Sequence, residues 1–428
     1  MIYVVPLAVS ILFIVITLPR PQERYFYLGS GRYGSLISAV SIFAAFTGGG
    51  ALINTSGLAA KYGYWAFFDV IPAAAGLLIA AVLVYFRFYG REFSRSFFDI
   101  KSNIYDKRAI SVHYAQIAFL YVLVVAIQLR AVSTVAAQID ISPSLAVVFC
   151  CLSVGLYAFR GFDAVTRTDV AQVLLMLPLY LILIYAAHQP APPTSSHSFD
   201  VMPTPLIVAL CLPFLFVPIS QEVHQRGAAA NSDQSVWKAY AIAGFLYLLL
   251  ASMVVHAFAS KPQMTLSSII QGDNVVAAII AIVALQAAIF STLDTATNIA
   301  SHAAQKISVL SKIRASIMQV LVLLCGAAVF LFFSTVLSLV LFALFLYMTG
   351  PALTFLAIWA GVHPRYASII GALFIALQGL VHFRVERLIS ADLLGKYALI
   401  NEPVEAGLIL LLGQFLILML IAIYRRYF

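Results

Sequence analysis

Thirteen apolar runs of roughly 20 residues define the class of this chain, because a helix needs about 20 apolar residues to cross a bilayer. Hydrophobic residues make up 63% of the sequence and charged residues 10%, whereas soluble domains are about 45–50% apolar and about 25% charged. We therefore predict an all-α polytopic membrane protein with about 13 transmembrane helices and no soluble domain. The runs lie near residues 2–18, 34–60, 64–86, 111–137, 143–159, 168–187, 204–221, 236–258, 274–305, 314–334, 336–361, 366–382 and 403–424.

The basic residues indicate an orientation in the membrane. A net charge of +8 is compatible with nucleic-acid binding, but the distribution of the charges argues against it. With the N-terminus outside, 19 of the 25 basic residues fall on the cytoplasmic side, Arg226 among them, and only Arg130 lies within a helix. Because cytoplasmic loops carry the excess of Lys and Arg, we predict thirteen crossings of the plasma (inner) membrane, N-terminus out and C-terminus in.

The order of the runs predicts two halves of opposite orientation. Residues 34–187 and 204–361 each hold five runs, which is the pattern of an inverted-repeat secondary transporter. A leading helix and linker (1–33), an external loop (188–203) and two additional helices (362–428) complete the chain. In such folds the first helix of each half is broken near the bilayer midplane. Here the first run of one half contains Thr47 and Gly48–Gly50, and that of the other contains Pro213 and Pro218. The alternative is that the three glycines only allow close helix packing.

Polar side chains form a stripe in the apolar run 274–305. Ala288, Ser291, Asp294 and Thr295 are spaced to share one helical face, and Thr292 lies beside them. A carboxylate at the centre of a spanning helix costs about 2.5–3.5 kcal/mol and therefore needs a partner. The stripe predicts a sodium site; the alternative is a helix contact made of small and hydroxyl residues.

Five stretches carry a resemblance to a known family. They are YFYLGSGRYGS (25–35), AAFTGGGALINTSGLAAKYGYW (44–65), GFDAVTRTDVAQVLLML (161–177), QEVHQRGAAANS (221–232) and AAIFSTLDTATN (287–298). In this order they resemble the solute:sodium symporter family, which has the LeuT fold with a 5+5 inverted repeat plus flanking helices. The resemblance covers roughly residues 20–365.

The resemblance implies one or two sodium sites. The first uses the break in the first core helix and the eighth core helix, and by position its ligands are Ala44, Thr47, Ala288, Ser291 and Thr292. A second site, present in some members, would use Asp169, Ser291, Asp294 and Thr295. For Asp169 the alternative is an acid in the first turn of its helix, where it complements the helix dipole.

The candidate substrate residues rest on weaker signals. Asp69 is a candidate because it is an acid within the membrane, and it could pair with a substrate ammonium or with Arg130. The others lie by position on the cavity faces of the core helices, although aromatic residues there are more often packing residues. They are Gly48, Gly49, Gly50, Phe216, Tyr247, Tyr347 and Thr349.

These observations predict a monomeric sodium-coupled symporter that imports a small polar organic solute by alternating access. Two alternatives stay open: a proton-coupled carrier in which Asp169 or Asp294 titrates, and a membrane sensor with a transporter-like body. No signalling domain is expected after residue 424, which counts against the sensor. No nucleophile–base constellation points to an enzyme.

Overall fold

The computed structural model describes residues 4–16, 27, 31–88, 90–91, 94–95, 107–138, 140–158, 161–188, 200–261, 263–272, 274–307, 309–331, 335–360, 362–382 and 403–427. The regular elements of this part are helices, and each predicted apolar run coincides with one or more of them. They are α1 (Val4–Ile16), α2 (Ser35–Phe46), α3 (Gly49–Tyr62), α4 (Phe67–Tyr85), α5 (Lys107–Gln138), α6 (Pro143–Ala158), α7 (Phe162–His188), α8 (Thr204–Cys211), α9 (Pro213–Phe216), α10 (Gln221–Ala229), α11 (Asp233–Ser260), α12 (Leu266–Gln271), α13 (Val275–Gln305), α14 (Ala315–Phe330), α15 (Val336–Tyr347), α16 (Leu353–Trp359), α17 (Pro364–His382) and α18 (Pro403–Tyr427).

Among the described residues, seven helical segments are long and apolar enough to cross a membrane, and five shorter apolar helices accompany them. Two of the seven, Gly49–Tyr85 and Thr204–Ala229, combine consecutive helices. Their outer faces expose large apolar side chains, such as Leu174 and Leu181 on α7 and Leu156 on α6. Such surfaces suit lipid rather than water. The chain is therefore an all-helical integral membrane protein, as predicted. The count of thirteen crossings, their orientation and the domain limits stay predictions.

The first core segment is interrupted where the sequence predicts a break. Helix α2 ends at Phe46, Thr47 has φ −95° and ψ 40°, and α3 begins at Gly49 after an extended Gly48. The run from 204 is interrupted as well, because α9 and a 3-10 turn at Val217–Ile219 separate α8 from α10. Proline lacks a backbone donor and prevents a continuous helix at the second break. The residues at both breaks can therefore direct backbone groups toward neighbouring helices instead of along their own axis.

Helix α13 lies at the centre of the molecule. It packs against α5 and α7, while α11 packs against α2, α3 and α4. Every residue of α13 from Ala284 to Ala304 is buried. Alanine, serine and threonine dominate this stretch and allow neighbouring backbones to approach closely, which is how membrane helices associate.

The predicted external loop lies mostly outside the described residues, because 189–199 are not described. The same holds for much of the predicted linker, for which residues 17–26 and 28–30 are not described, and for residues 383–402 between α17 and α18.

Candidate functional site

The break between α2 and α3 lies directly against α13. The Thr292 hydroxyl donates to the Ala45 carbonyl at 3.1 Å. A Cβ atom on Gly48 would overlap Thr292, and one on Gly49 would overlap Ile289, so only glycine allows this approach. The Gly50 amide, an N-terminal donor of α3, is satisfied by the Gln128 side chain of α5 at 3.1 Å. The break and the close packing are thus two consequences of the same three glycines.

Oxygen atoms collect at this contact. The last turn of α2 leaves carbonyls without intrahelical donors, Ala44 among them. The Thr47 hydroxyl donates to the Phe43 carbonyl, and the Thr292 hydroxyl donates to the Ala45 carbonyl. Because each hydroxyl uses its one proton in this way, its oxygen lone pairs can still coordinate a cation. Ala44, Thr47, Ala288 and Thr292 are at most 8% exposed. Hard cations prefer such oxygen sets, and the C-terminal end of a helix favours positive charge. The predicted first sodium site fits these residues chemically.

Ser291 points into a second polar cluster instead of standing free as a ligand. Its hydroxyl donates to Asp169 of α7 at 2.8 Å, and Ser41 of α2 donates to the other oxygen of the same carboxylate. The Arg226 guanidinium of α10 contacts that carboxylate at 3.1 Å and also donates to Ser41 at 3.0 Å. Asp169 and Ser41 are fully buried and Arg226 is 1% exposed. Four helices therefore converge on one buried ion pair.

Asp294 is the second carboxylate of this cluster. It accepts hydrogen bonds from Thr168 at 3.3 Å and from Thr295 at 3.4 Å. Thr295 in turn accepts a hydrogen bond from Arg226 at 2.8 Å and so links the guanidinium to Asp294. With both acids ionised, the cluster holds two negative charges and one positive charge. Such a buried imbalance requires a proton or a bound cation.

The structure corrects two sequence-based interpretations here. Arg226, counted among the cytoplasmic cations, is buried inside the bundle and paired with Asp169. Asp169 is not a first-turn acid, because α7 begins at Phe162 and the acid of its first turn is Asp163. The sequence does not show this role of Arg226 directly, because its segment reads as a polar loop. The available signal is an arginine between apolar runs, which needs a counter-ion where it is buried.

Asp69 forms a separate polar site with α3. It accepts hydrogen bonds from Asn54 at 3.3 Å and from Thr55 at 2.6 Å. Within the described part of the chain no ion pair joins Asp69 to Arg130, so that predicted pair does not form in this conformation. Thr55 also lines a cavity of about 10 Å³, and Tyr247 forms part of the same wall. This is about the space that one water molecule needs. The cavity is lined by Thr47, Ala51, Leu52, Thr55, Tyr247, Ala251 and Val254.

The remaining candidate substrate residues do not gather around this cavity. The ring of Phe216 packs on Tyr347 with centroids 4.7 Å apart, and the Tyr347 hydroxyl donates to the Ile219 carbonyl at 2.8 Å. Thr349 is fully buried and donates to the Phe345 carbonyl at 2.8 Å. Gly48–Gly50 lie against α13 and α5. In this conformation these residues pack between helices instead of lining a cavity that the structure describes.

Tyr33 connects three segments at the end of the molecule where α7 begins. Its hydroxyl donates to Asp163 at 2.7 Å, and its carbonyl accepts the Asn231 amide at 2.9 Å. Burial and the neighbouring Asp163 carboxylate raise the pKa of the Tyr33 hydroxyl, which therefore stays protonated and remains a donor. Tyr33 thus connects the segment before α2 with α7 and with the end of α10.

Comparison with known proteins agrees with this architecture. The sequence model of the sodium:solute symporter family matches residues 26–197, which include the first break, Asp69 and Asp169. No curated protein sequence matches the chain. The predicted resemblance to the solute:sodium symporter family is thus confirmed by the family match.

Two solved structures share the fold at low sequence identity. A substrate-bound, outward-open Na⁺-coupled sialic acid symporter aligns with a TM-score of 0.66 and 12% identity over 90% of this chain and 97% of that chain. MHP1, a nucleobase-cation-symport-1 family transporter in a closed conformation with bromovinylhydantoin bound, aligns with a TM-score of 0.53 and 15% identity over 93% of this chain and 94% of that chain. At these identities the similarity concerns the fold.

Proposed function

We propose that this protein is a sodium-coupled symporter that imports a small polar organic solute by alternating access. The family match and the shared fold support a sodium-coupled transporter. The observation that carries the proposal is the contact of Thr292 with the Ala45 carbonyl at the break between α2 and α3. This contact brings hydroxyl and carbonyl oxygens from two helices together in a buried place. Residues 34–187 and 204–361 would be the two repeats that move relative to it.

Sodium at this position would connect α13 to α2 and α3. Because Gly48 has no side chain, the two parts of the broken helix can change their angle without a clash at the hinge. A cation held by Thr47, Thr292 and the carbonyl of Ala44 would favour one such angle. A ligand shifts a conformational equilibrium only by its difference in affinity for the two states. The sodium gradient would therefore act through the angle at this break.

Thermal stability in sodium and in potassium tests the proposal. Sodium should raise the melting temperature of the purified protein, since a ligand at a hundredfold excess over its Kd contributes about 2.7 kcal/mol. Thr292→Ala should remove most of this effect. Thr297→Ala is the matched control, because Thr297 is equally buried on the same helix and donates within it to the Leu293 carbonyl at 2.7 Å. Equal melting temperatures of the wild type in both salts would refute sodium binding.

Asp294 supports a second candidate, which is proton coupling. Its cluster carries one negative charge in excess when both acids are ionised, and either a proton or a second sodium would neutralise it. The guanidinium of Arg226 already occupies one side of Asp169, so a second sodium would sit on the Asp294 side, near Thr168 and Thr295. Measuring the melting temperature at several pH values distinguishes a proton from a second sodium ion. If acidification in potassium raises the melting temperature of the wild type but not of Asp294→Asn, the proton is favoured.

A further inference from the structure

We propose that the transported solute carries a cationic group, an ammonium or a quaternary amine, and that Asp69 is the residue that recognises it. The inference rests on the proposed function and specifies its substrate class. It depends on three observations: the hydrogen bonding of Asp69, the adjoining cavity, and the aromatic rings nearby.

Asp69 has hydrogen-bond donors but no cationic partner among the described residues. Thr55 and Asn54 both donate to it and so stabilise the ionised carboxylate in one orientation. Its side chain is partly exposed, in contrast to the fully buried Asp169. Asp169 has Arg226 as its cation, whereas the partners of Asp69 are neutral. A carboxylate within a membrane segment that has no cationic partner among the described residues favours a cation from outside the protein.

The cavity gives such a cation a place beside the break. Thr55 lines the cavity and also donates to Asp69, and Thr47 lines the same cavity. A solute in an enlarged form of this cavity would therefore contact both Asp69 and the broken helix that also bounds the proposed sodium site. The lining is otherwise apolar, with Ala51, Leu52 and Val254, which suits a small cation with hydrocarbon substituents better than a polyhydroxylated solute.

One aromatic side chain lines the cavity, and two more precede Asp69 by about one helical turn. Tyr247 lines the cavity and is close enough to Asp69 for an electrostatic interaction. Trp65 and Tyr64 are about half exposed beside the start of α4, and Trp65 stacks on Phe68 with centroids 5.9 Å apart. Aromatic faces attract ammonium groups, most strongly where water is excluded. A carboxylate close to a cavity with an aromatic wall is therefore the chemistry expected of a site for an organic cation.

The test compares cations with neutral molecules of the same shape. Purified protein in sodium buffer is heated with tetramethylammonium, choline, ethanolamine, putrescine or glycine betaine, and with 3,3-dimethylbutan-1-ol, in which carbon replaces the charged nitrogen of choline. At least one of the cations should raise the melting temperature, and the neutral alcohol should not. Asp69→Asn removes the charge and can still make two hydrogen bonds, because its oxygen accepts from Asn54 and its amide nitrogen donates to the Thr55 hydroxyl. It should weaken binding of that cation by about tenfold to a hundredfold.

Two controls make the outcomes decisive. Asp140→Asn removes an acid from an exposed position with φ 55°, where asparagine is well tolerated, and should bind the cation like the wild type. Asp69→Glu keeps the charge and should retain part of the affinity. The proposal is overturned if no cation of the set stabilises the wild type, if the alcohol stabilises it equally, or if Asp69→Asn binds the cation unchanged. Sodium stabilisation without any amine is measured in parallel, so failure of the proposed function is distinguished from failure of the substrate assignment.

Discussion

Replacing Arg226 should destabilise the protein more than replacing Asp169, although the two residues form one ion pair. Arg226→Gln leaves two buried carboxylates, Asp169 and Asp294, without a cation. Asp169→Asn leaves one carboxylate and one guanidinium, and the guanidinium already approaches Asp294 through the Thr295 hydroxyl, with steps of 2.8 Å and 3.4 Å. The buried charges therefore balance in Asp169→Asn but not in Arg226→Gln.

The magnitudes follow from the burial of the pair. Removing one partner of a buried ion pair costs about 3–5 kcal/mol when the other charge stays uncompensated, as in Arg226→Gln. Asp169→Asn weakens the hydrogen bonds from Ser41, Ser291 and Arg226 but strands no charge, so we expect about 1–3 kcal/mol. Adding Asp294→Asn to Arg226→Gln removes one of the two stranded charges and should recover part of the loss.

The measurement is denaturant unfolding of the purified variants in one detergent, followed by tryptophan fluorescence. Arg167→Gln is the control, because it changes the net charge equally from an exposed position of the same helix as Asp169. Equal losses of unfolding free energy in Arg226→Gln and Asp169→Asn would refute the charge argument. So would a failure of Asp294→Asn to recover any stability in the Arg226→Gln background.

Two further substitutions test the packing at the break and the closure at one end. Gly49→Ala should cost about 1–3 kcal/mol of unfolding free energy, since its Cβ overlaps Ile289, whereas Gly57→Ala on the same helix meets no atom within 4 Å and should be neutral or stabilising. Similar losses in both would contradict the packing argument. Tyr33→Phe removes the hydrogen bond to Asp163 and should increase cysteine-labelling or hydrogen-exchange rates where α7 begins, by about threefold to tenfold for a bond worth about 1 kcal/mol. Unchanged rates would show that Tyr33 does not hold this end closed.

The sequence predicted the helices and the first break because those features depend on local chemistry. Long apolar runs must pair their backbone groups within the segment, and three consecutive glycines beside Thr47 weaken a helix wherever they occur. The stripe on α13 was recognisable for the same reason, since Ser291, Asp294 and Thr295 cost too much in lipid to be there without partners.

The partners themselves were not predictable in the same way. The pairing of Asp169 with Arg226 joins residues 57 positions apart on two helices, and only the folded arrangement shows it. Ser41 lies in an unremarkable apolar segment, yet it donates to that pair. The partners of Asp69 are closer in sequence, because Asn54 and Thr55 precede it by only 15 and 14 positions. They are also polar residues within a predicted apolar run, so the sequence already offered them as candidate neighbours of a membrane acid.

One broken helix contacts all three polar sites, and this suggests why ion and solute could be coupled. Ser41 reaches the Asp169–Arg226 pair from α2, the Ala45 carbonyl meets Thr292, and Thr55 of α3 holds Asp69. A change in the angle between α2 and α3 would therefore alter the proposed ion site, the proposed solute site, or both. Binding free energies are reciprocal, so a sodium ion that organises α3 for the solute must itself bind more tightly once the solute is present. The link needs no chain of residues from other helices, because the Ala45 and Thr55 contacts lie on the two parts of one broken helix, with Gly48 between them.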